Sequence, residues 1–550
     1  GVRLVGSEMC IRDRYNKEKF LTWEEEAEEE ETAAPDFDFS PTPETLDDKI
    51  PKQIGGSTEL KERIRQLCIK FEDIYSRKVR PEPAHFSSKM HLNVDISQWE
   101  TNKNRGPPRV LSESKRQSLR EILLSLEKLG VIRRSNAAYY SQVHMVPKPR
   151  LGDENANILD QWRLTLDYRV LNSISTLSGW PIPNIKQLLE RIGHKKIKYF
   201  GVMDLTQGYY QAPLDEESMP LTAFITFMGV FEFTRVAMGL KGSPSYFQKE
   251  VSSTVLGDLM YDFCELYLDD VICWGTTEDD FLANLEQIFI RFRKCNVTLH
   301  PDKVKLGYES VEYVGHVLTG STISVSKERT EQLLNLTKPQ TQLQMKQFIG
   351  LANYLRDHIR DFSIITAPLQ TLINGYSSKK AYITLLWTES TTKAFEDIRD
   401  NIKNIPSLYF MEEGLPIILE TDACDMGISA YLYQLDEDGS HRPVQFISKA
   451  LTGPQLNWSA NVKEAYAIYY AMTKLEYLLS DRKFRLRTDH KNLTLIDKGQ
   501  GKILRWKLEI QQFDFQVEHI PGEHNVVADR FSRLCSFRTL YDNLEISKFI

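Results

Sequence analysis

Residues 263–275 read FCELYLDDVICWG, and no other stretch in the first half of the chain predicts its local structure as clearly. Two adjacent acids, Asp269 and Asp270, interrupt a run of apolar residues that would otherwise form a buried strand. Burying an ionised carboxylate is costly because the group loses its hydration. A β-hairpin with both acids at its turn, where they bind a cation, removes this cost. We therefore predict such a hairpin, with a plain solvated turn as the ordinary alternative.

A further acidic position lies upstream, in the segment GVMDLTQGYYQAPL (201–214). Asp204 closes a short apolar run there, as expected at the end of a strand. Mg²⁺ prefers hard oxygen ligands and holds few protein carboxylates, with substrate phosphates completing its shell. Two such ions about 3.5–4 Å apart can stabilise both the attacking and the leaving oxygen of a phosphoryl transfer. Asp204, Asp269 and Asp270 are therefore candidates for one metal site.

Four more acids follow in the last third of the chain, each on a different predicted element. Asp422 ends a strand in LPIILETDACDMG (415–427), Glu464 faces inward on a helix in NWSANVKEAYAIYYAM (457–472), Asp489 ends a strand in FRLRTDHKNL (484–493), and Asp529 begins a last helix in IPGEHNVVADRFSR (520–533). If these carboxylates converge, they too would hold two Mg²⁺ ions. Taken singly, Asp489 fits a helix N-cap and Glu464 a solvated helix position.

The composition of the chain is typical of a globular protein. With 41% hydrophobic and 26% charged residues, the chain resembles an ordinary soluble globular protein. No apolar run approaches the roughly 18 residues of a membrane span, and no secretory signal is seen. The seven cysteines are scattered and form no CxxC motif, so we expect neither a disulfide framework nor a structural zinc site.

The net charge of −7 is unevenly distributed along the chain. Residues 1–50 contain fifteen acidic and six basic residues, a net −9, so the remaining 500 residues carry +2. A near-neutral body still binds a polyanion if its basic groups cluster on one face, because phosphate contact depends on the local field. Charge therefore neither indicates nor excludes a nucleic-acid partner.

Five segments in the first half together resemble the motifs of reverse transcriptases from long-terminal-repeat retrotransposons and retroviruses. They are WRLTLDYRVLN (162–172), DLTQGYYQ (204–211), MGLKGSPSYFQ (238–248), YLDD (267–270) and YVGHVL (313–318). The motifs occur in the family's order and at family-like spacing. The resemblance implies an α+β right-hand polymerase with fingers, palm and thumb.

This resemblance also implies roles for individual residues. Asp204, Asp269 and Asp270 would be catalytic metal ligands, and Leu205 would add a backbone carbonyl. Lys148 and Arg163 would hold the nucleotide triphosphate as fixed cations, which suits a transferring phosphoryl group. Tyr209 would lie beneath the sugar and exclude a ribose 2′-hydroxyl. Met238 and Gly239 would approach the nascent base pair, although the family commonly has Phe or Gln at the position of Met238. The resemblance therefore implies five substrate-binding residues: Lys148, Arg163, Tyr209, Met238 and Gly239.

The last third resembles ribonuclease H, through TDA, KEAYA, RTDHKNL and the tail PG…N-x-x-AD-x-x-SR. The resemblance implies a mixed-sheet α/β domain in which Asp422, Glu464, Asp489 and Asp529 are catalytic and hold metal. The implied reaction is hydrolysis of the RNA strand of an RNA–DNA hybrid, recognised through its A-form shape and 2′-hydroxyls. The pair of domains most resembles the Pol polyprotein of gypsy-type (Metaviridae) retrotransposons.

We expect the following organisation. The chain begins with an acidic, disordered N-terminal segment (1–56), and the first 14 residues of this segment look like a translated sequencing adapter. The segments that follow are the reverse transcriptase fingers and palm (57–320), the thumb (321–375), a polar connector (376–412), a ribonuclease H-like domain (413–535) and a C-terminal tail (536–550).

The implied activity is RNA-directed, and also DNA-directed, DNA polymerisation combined with hydrolysis of RNA–DNA hybrids. Expected partners are an RNA template, a DNA primer, an RNA–DNA hybrid and deoxynucleoside triphosphates, with no membrane. Expected cofactors are two Mg²⁺ ions per active site, with Mn²⁺ as a substitute. The resemblance further implies homodimers, companion protease and integrase segments outside this chain, and cytoplasmic virus-like particles or the nucleus. Two alternatives stay open: a plant-pararetrovirus-like polymerase, and a decayed or domesticated nucleic-acid-binding protein without catalysis.

Overall fold

The computed structural model describes residues 45–147, 162–176, 179–193, 195–377, 381–488 and 502–519. The chain divides into two compact units, residues 1–320 and 321–550. Among the described helices, none is both long enough and apolar enough to cross a membrane.

The first unit mixes helices and strands throughout its length. Its strands are β1 Gln53–Ile54, β2 Ile132–Arg134, β3 Ser141–Pro147, β4 Trp162–Leu166, β5 Tyr199–Asp204, β6 Phe224–Thr226, β7 Gly229–Phe233, β8 Cys264–Tyr267, β9 Asp270–Gly275, β10 Lys305–Tyr308, β11 Ser310–Tyr313 and β12 His316–Thr319. Its helices are α1 Leu46–Lys49, α2 Thr58–Lys70, α3 Ile96–Trp99, α4 Glu113–Lys128, α5 Arg169–Ile174, α6 Ile185–Gly193, α7 Gly208–Gln211, α8 Ser243–Glu250 and α9 Glu278–Lys294.

A five-stranded sheet in the order β1-β10-β5-β9-β8 forms the centre of this unit. Strand β5 is buried along its whole length, as expected for a central strand covered on both faces. Gly201 has no room for a side chain, because a Cβ would lie 2.8 Å from the Cys273 sulfur. The central strand is therefore held tightly against β9, and its last residue is Asp204.

Helix α9 follows β9 directly and supports this sheet. Thr277 caps the helix by accepting a hydrogen bond from the Asp280 amide. Three acids stand in its first turn and three basic residues in its last turn, which complements the helix dipole at both ends. Its buried face joins the main hydrophobic core through Phe281, Leu285 and Phe289.

A second five-stranded sheet, in the order β2-β7-β6-β3-β4, is built from strands between residues 132 and 233. Strands β3 and β4 form an antiparallel pair in which Pro147 lies opposite Trp162. Helix α4 is amphipathic and buries Leu119, Ile122 and Leu126. These residues join the same core as the central sheet.

The second unit begins with a helical region and ends with a sheet. Its strands are β13 Thr322–Val325, β14 Leu408–Tyr409, β15 Ile417–Ala423, β16 Gly427–Leu435, β17 His441–Ala450, β18 Lys483–Thr488 and β19 Asp514–His519. Its helices are α10 Lys327–Asn335, α11 Gln342–Asn353, α12 Phe362–Leu372, α13 Glu389–Lys403, α14 Ala460–Lys474, α15 Glu476–Leu479 and α16 Lys502–Ile510. The sheet order is β17-β16-β15-β18-β19, with β15, β18 and β19 parallel and the other pairs antiparallel.

Opposite faces of this sheet have different neighbours. Leu419 and Leu432 pack with Ile468 and Met472 of α14 in one core. On the other face Tyr431 stacks between Tyr433 and Phe446, with ring centroids 4.6 and 4.7 Å apart. The mixed sheet with its covering helix agrees with the mixed-sheet α/β domain that the resemblance to ribonuclease H implies.

The polar stretch 376–412, expected as a connector, contains the helix α13. A capping box at Thr388 starts this helix, and Ala394, Phe395, Ile398 and Ile402 form its buried face. These apolar residues recur at helical spacing in the sequence. The many charged and polar residues between them favoured a connector instead. The segment expected as the thumb, residues 321–375, contains the helices α10, α11 and α12.

Candidate active sites

Strands β5 and β9 bring the first set of acids together. The two strands are antiparallel, and Asp204 lies directly opposite Asp270. Residues that face each other in this way have Cβ atoms about 4.5–5.5 Å apart. The Leu205 amide donates to the Asp269 carbonyl at 3.2 Å. The backbone thus places Asp204, Leu205, Asp269 and Asp270 in one small region, as the sequence predicted.

The predicted hairpin is formed by β8 and β9. Its turn contains Leu268, which has a φ of 57°, an uncommon value for a branched residue. The buried side chain of Gln248 holds this turn in place. Its amide oxygen accepts from the Leu268 amide at 2.7 Å, and its amide nitrogen donates to the Leu266 carbonyl at 3.2 Å. Sequence reasoning did not single out Gln248, although it closes the motif MGLKGSPSYFQ.

Residues from two later segments also contact the acidic region. The Tyr313 hydroxyl donates to the Asp270 carbonyl at 3.2 Å. Burial raises the pKa of Tyr313 well above its usual value, so this hydroxyl keeps its proton. The His300 amide donates to the Asp204 carbonyl at 3.0 Å, and Lys303 Nζ lies 3.9 Å from Asp204 Oδ1. Burial, together with Lys303, lowers the pKa of His300, which leaves its ring neutral near pH 7.

The donors in this region have the chemistry that a divalent cation requires. Carboxylates and a backbone carbonyl are hard oxygen ligands. Asp204 is only 9% exposed, and a nearby cation, Lys303, offsets its charge. Across the ranges that the structure describes, however, no three His, Cys, Asp or Glu side chains are grouped so that they could hold a metal ion. The residues therefore fit a divalent cation by donor type and by backbone position.

The predicted triphosphate ligands belong to the β3–β4 hairpin. Arg163 lies on β4, opposite Val146 of β3. Lys115 lies over the neighbouring Trp162 ring, with Nζ 4.5 Å from the ring centroid. Lys148 follows directly after β3 in the sequence and lies outside the described residues. The structure therefore places only Arg163 on this hairpin.

Tyr209 lies on the short helix α7, five residues after Asp204. Its ring is half-buried and packs edge-on against Phe247, with centroids 5.4 Å apart. A Cβ on the preceding Gly208 would lie 3.3 Å from the Asp269 Cβ. The turn that carries Tyr209 is therefore packed against the hairpin that carries the acids.

The loop at Met238 and Gly239 is held by a side chain from the motif WRLTLDYRVLN (162–172). Gly239 has a φ of +89°, which favours glycine. The Asn172 amide group donates to the Gly239 carbonyl at 2.8 Å and accepts from the Lys241 amide at 2.9 Å. Met238 and Gly239 are both partly exposed. Asn172 is a second residue that sequence reasoning missed.

The second set of acids is only partly described. Asp422 lies on β15 opposite Ser429 of β16, and Glu464 lies on the buried face of α14 with 8% exposure. Helix α14 packs against β15 and β16, so Glu464 lies on a helix that covers the strand carrying Asp422. Asp489 and Asp529 lie outside the described residues.

A neighbouring acid, Glu420, has a structural role. It is buried and accepts a hydrogen bond from the Tyr433 hydroxyl at 2.6 Å. Arg487 lies 3.6 Å from the same carboxylate and also donates to Glu518 at 2.9 Å. Glu420 Oε1 is thus committed to protein partners, two residues before Asp422.

Two family models match the chain. Residues 146–318 match the model described as reverse transcriptase (RNA-dependent DNA polymerase), and residues 413–513 match the RNase H-like domain found in reverse transcriptase.

The chain carries a reverse transcriptase domain followed by an RNase H-like domain.

Known proteins that are similar in sequence to this chain include retrotransposon polyproteins. The chain is 30% identical over 415 residues to the retrovirus-related Pol polyprotein from transposon opus of Drosophila melanogaster, covering 74% of this chain and 40% of the relative. It is 31% identical over 423 residues to the Pol polyprotein from transposon gypsy of the same organism, covering 74% and 39%. The chain therefore spans about two fifths of the length of these relatives.

Solved structures share the fold over most of the chain. A foamy viral protease-reverse transcriptase dRH in complex with double-stranded DNA matches with a TM-score of 0.72 and 20% identity, covering 88% of this chain and 84% of that one. The foamy viral protease-reverse transcriptase in complex with RNA/DNA hybrid matches with a TM-score of 0.70 and 20% identity, covering 87% and 64%. The order of a reverse transcriptase domain before an RNase H-like domain is thus confirmed, as is the α+β fold.

Proposed function

We propose that this chain is the polymerising and hybrid-cleaving part of a retrotransposon Pol polyprotein. It would copy RNA, and then DNA, into DNA, and hydrolyse the RNA strand of the resulting hybrid. The observation that carries this proposal is the register of β5 and β9, which pairs Asp204 with Asp270 beside Asp269. Three carboxylates at one sheet end suit phosphoryl transfer better than a structural role.

In the polymerase site the chain would act mainly by placing charge. Asp204, Asp269 and Asp270 would hold divalent cations, with the Leu205 carbonyl as a further ligand. Arg163, with Lys148, would neutralise the triphosphate, while the fixed loop at Met238 and Gly239 would support the new base pair. Tyr209 would exclude a 2′-hydroxyl. Phosphoryl transfer needs positioning and electrostatic stabilisation rather than covalent chemistry from the protein.

Reverse transcriptase and RNase H families generally depend on divalent metals, and we propose two Mg²⁺ ions per site, with Mn²⁺ as substitute. When bound, such ions activate the attacking oxygen and stabilise the leaving one. In the RNase H-like domain the ligands would be Asp422, Glu464, Asp489 and Asp529. The donor set contains only oxygen, which suits Mg²⁺.

Nucleic acids are the proposed partners. Fold relatives of this chain are described in complex with double-stranded DNA and with RNA/DNA hybrid, which supports an RNA template, a DNA primer and their hybrid as ligands. Deoxynucleoside triphosphates complete the substrate set. The wider proposal rests on similarity to Pol polyproteins alone: companion protease and integrase segments, a homodimer, and a location in cytoplasmic virus-like particles or the nucleus.

The polymerase part is tested by oligo(dT) extension on poly(rA) with Mg²⁺ and dTTP, using the full chain. Asp204→Asn should abolish extension, whereas Asp279→Asn, at an exposed carboxylate of α9, should not. If the Asp204→Asn variant still extends the primer, the proposed polymerase site is rejected. A chain that binds hybrid but never extends would favour the decayed nucleic-acid-binding alternative.

The hydrolytic part is tested by loss of a labelled RNA strand from an RNA/DNA hybrid. Glu464→Gln should abolish this loss, and Asp438→Asn, in the exposed turn between β16 and β17, serves as the matched control. Equal RNA loss in the wild type and Glu464→Gln would reject the assignment.

A further inference from the structure

Lys463 is a buried lysine next to Glu464 on α14. The residue is only 5% exposed, and lysines are almost never this buried unless they are paired. Its Nζ donates to Asp425 Oδ1 at 3.0 Å and lies 3.4 Å from the Asp425 carbonyl. The ammonium group therefore contacts both the side chain and the backbone of one residue in the turn after β15.

Stability alone does not account for this arrangement. The Asp425 side chain is 95% exposed, and ion pairs with such exposed partners contribute only about 0–1 kcal/mol. Helix α14 is anchored to the sheet without Lys463, because Ile468, Ala471 and Met472 are buried in the core beneath it. Burial of a charged lysine thus adds little that packing does not already provide.

The contact joins the two segments that carry proposed catalytic acids. Asp425 lies three residues after Asp422, and Lys463 immediately precedes Glu464. The turn that follows β15 and contains Asp425 is compact, since the Cys424 amide donates to the Gly427 carbonyl at 2.9 Å. It is also tied to β17, because the Leu451 amide donates to the Met426 carbonyl at 2.8 Å. Lys463 adds the link from this turn to the helix.

We propose that Lys463 is a positioning residue for the RNase H-like site, and that its ion pair with Asp425 sets the spacing between Asp422 and Glu464. The proposal rests on the proposed hybrid-cleaving function. Lys463 does not touch substrate; it acts through the two segments that it connects. Groups that orient metal ligands typically change metal affinity or activity about 10- to 100-fold when removed.

The test compares Lys463→Met, which keeps the apolar stem, with Asp425→Asn, the double variant, and Lys463→Arg in the full chain. Lys474→Met, exposed on the same helix, is the matched control. We expect Lys463→Met to lower kcat for RNA-strand cleavage roughly 10-fold without changing KM for the hybrid, and to raise the Mg²⁺ concentration for half-maximal rate. Asp425→Asn should give the same loss, the double variant no further loss, and Lys463→Arg a partial recovery.

Two other readouts separate this proposal from its alternatives. DNA synthesis on poly(rA) should be unchanged in every variant, and Mn²⁺ should raise the melting temperature of the wild type more than that of Lys463→Met. Wild-type kinetics in Lys463→Met, additive losses in the double variant, or parallel loss of DNA synthesis and of folding would each overturn the positioning role. If the wild type cleaves no hybrid, the proposed function fails, and the Mn²⁺ shift alone then decides whether Lys463 positions a metal site.

Discussion

Asp204 and Asp270 face each other across β5 and β9, at the end of a strand that is buried along its whole length. The pairing depends on the hairpin β8–β9 staying in register, because a shift of one residue would move Asp270 to the other face of the sheet. Side chains that hold this hairpin in register should therefore influence the rate of polymerisation, even where they do not contact the acids.

Gln248 is the first such side chain. Gln248→Leu would leave the Leu268 amide and the Leu266 carbonyl without their partner, which costs about 1–3 kcal/mol for a buried group. A displaced turn should lower the rate of dTTP incorporation roughly 10- to 100-fold. Hybrid cleavage should be unchanged, and Ser253→Ala, at an exposed position nearby, is the control. A wild-type incorporation rate in Gln248→Leu would contradict this role.

Asn172 should control nucleotide binding through the loop at Gly239. Asn172→Ala removes the two hydrogen bonds that hold this loop, so we expect KM for dTTP to rise roughly 10-fold, with a smaller change in kcat. Asn172→Asp keeps the acceptor for the Lys241 amide and loses the donor to Gly239, and its effect should be intermediate. Ser173→Ala is the neighbouring control. If Asn172→Ala changes only kcat and leaves KM for dTTP unaltered, the loop at Gly239 does not control nucleotide binding.

Tyr209 should determine the choice between deoxyribo- and ribonucleotides. Its ring is held edge-on against Phe247, and in the role that we propose for Tyr209 a 2′-hydroxyl would clash with this ring. Tyr209→Ala should reduce discrimination against UTP on poly(rA) by roughly 100-fold, the size of effect that a well-placed group has on specificity. Tyr209→Phe keeps the ring and should keep the discrimination. Equal selectivity in the wild type and Tyr209→Ala would show that another residue excludes the hydroxyl.

Asp361 should make the stability of the second unit depend on pH. This residue precedes α12 with a φ of 54°, and burial raises the pKa of its carboxyl above the unfolded value. A raised folded pKa means that stability present below the unfolded pKa is lost as pH rises through the folded pKa. Asn tolerates this backbone conformation and carries no charge, so Asp361→Asn should melt at a higher temperature at pH 8 and equally at pH 4.

The expected gain at pH 8 is about 2–4 °C for each kcal/mol of burial cost removed. Calorimetry across this pH range checks it, with Glu437→Gln, an exposed change in the same unit, as the control. A melting temperature that falls at pH 8, or a change of equal size at both pH values, would show that the charge of Asp361 does not limit stability.

Local patterns in the sequence were enough to predict where the principal acids lie. Asp204 closes an apolar run and Asp269 interrupts another, so a strand end and a hairpin turn followed from burial costs alone. The apolar pattern of their segments likewise predicted Asp422 at a strand end and Glu464 on a buried helix face. The catalytic roles of these residues, and those of Lys148, Asp489 and Asp529, stay predictions.

The supporting side chains could not be found in this way, since their partners are distant in sequence. Gln248 lies 20 residues from Leu268, and Asn172 lies 67 residues from Gly239. An amide side chain gives no periodic signal, and only the folded chain shows which backbone groups it satisfies. Lys463 was concealed for the same reason, because its partner Asp425 is 38 residues away on another element.

The most direct test measures both activities of the full chain in the same tubes, following dTTP incorporation and loss of the RNA strand with Mg²⁺. Asp269→Asn and Asp422→Asn run alongside the wild type. Two separate carboxylate sites predict that Asp269→Asn abolishes only incorporation and that Asp422→Asn abolishes only RNA loss. If either substitution removes both activities from a folded chain, or neither substitution removes any, the assignment of two carboxylate sites is contradicted.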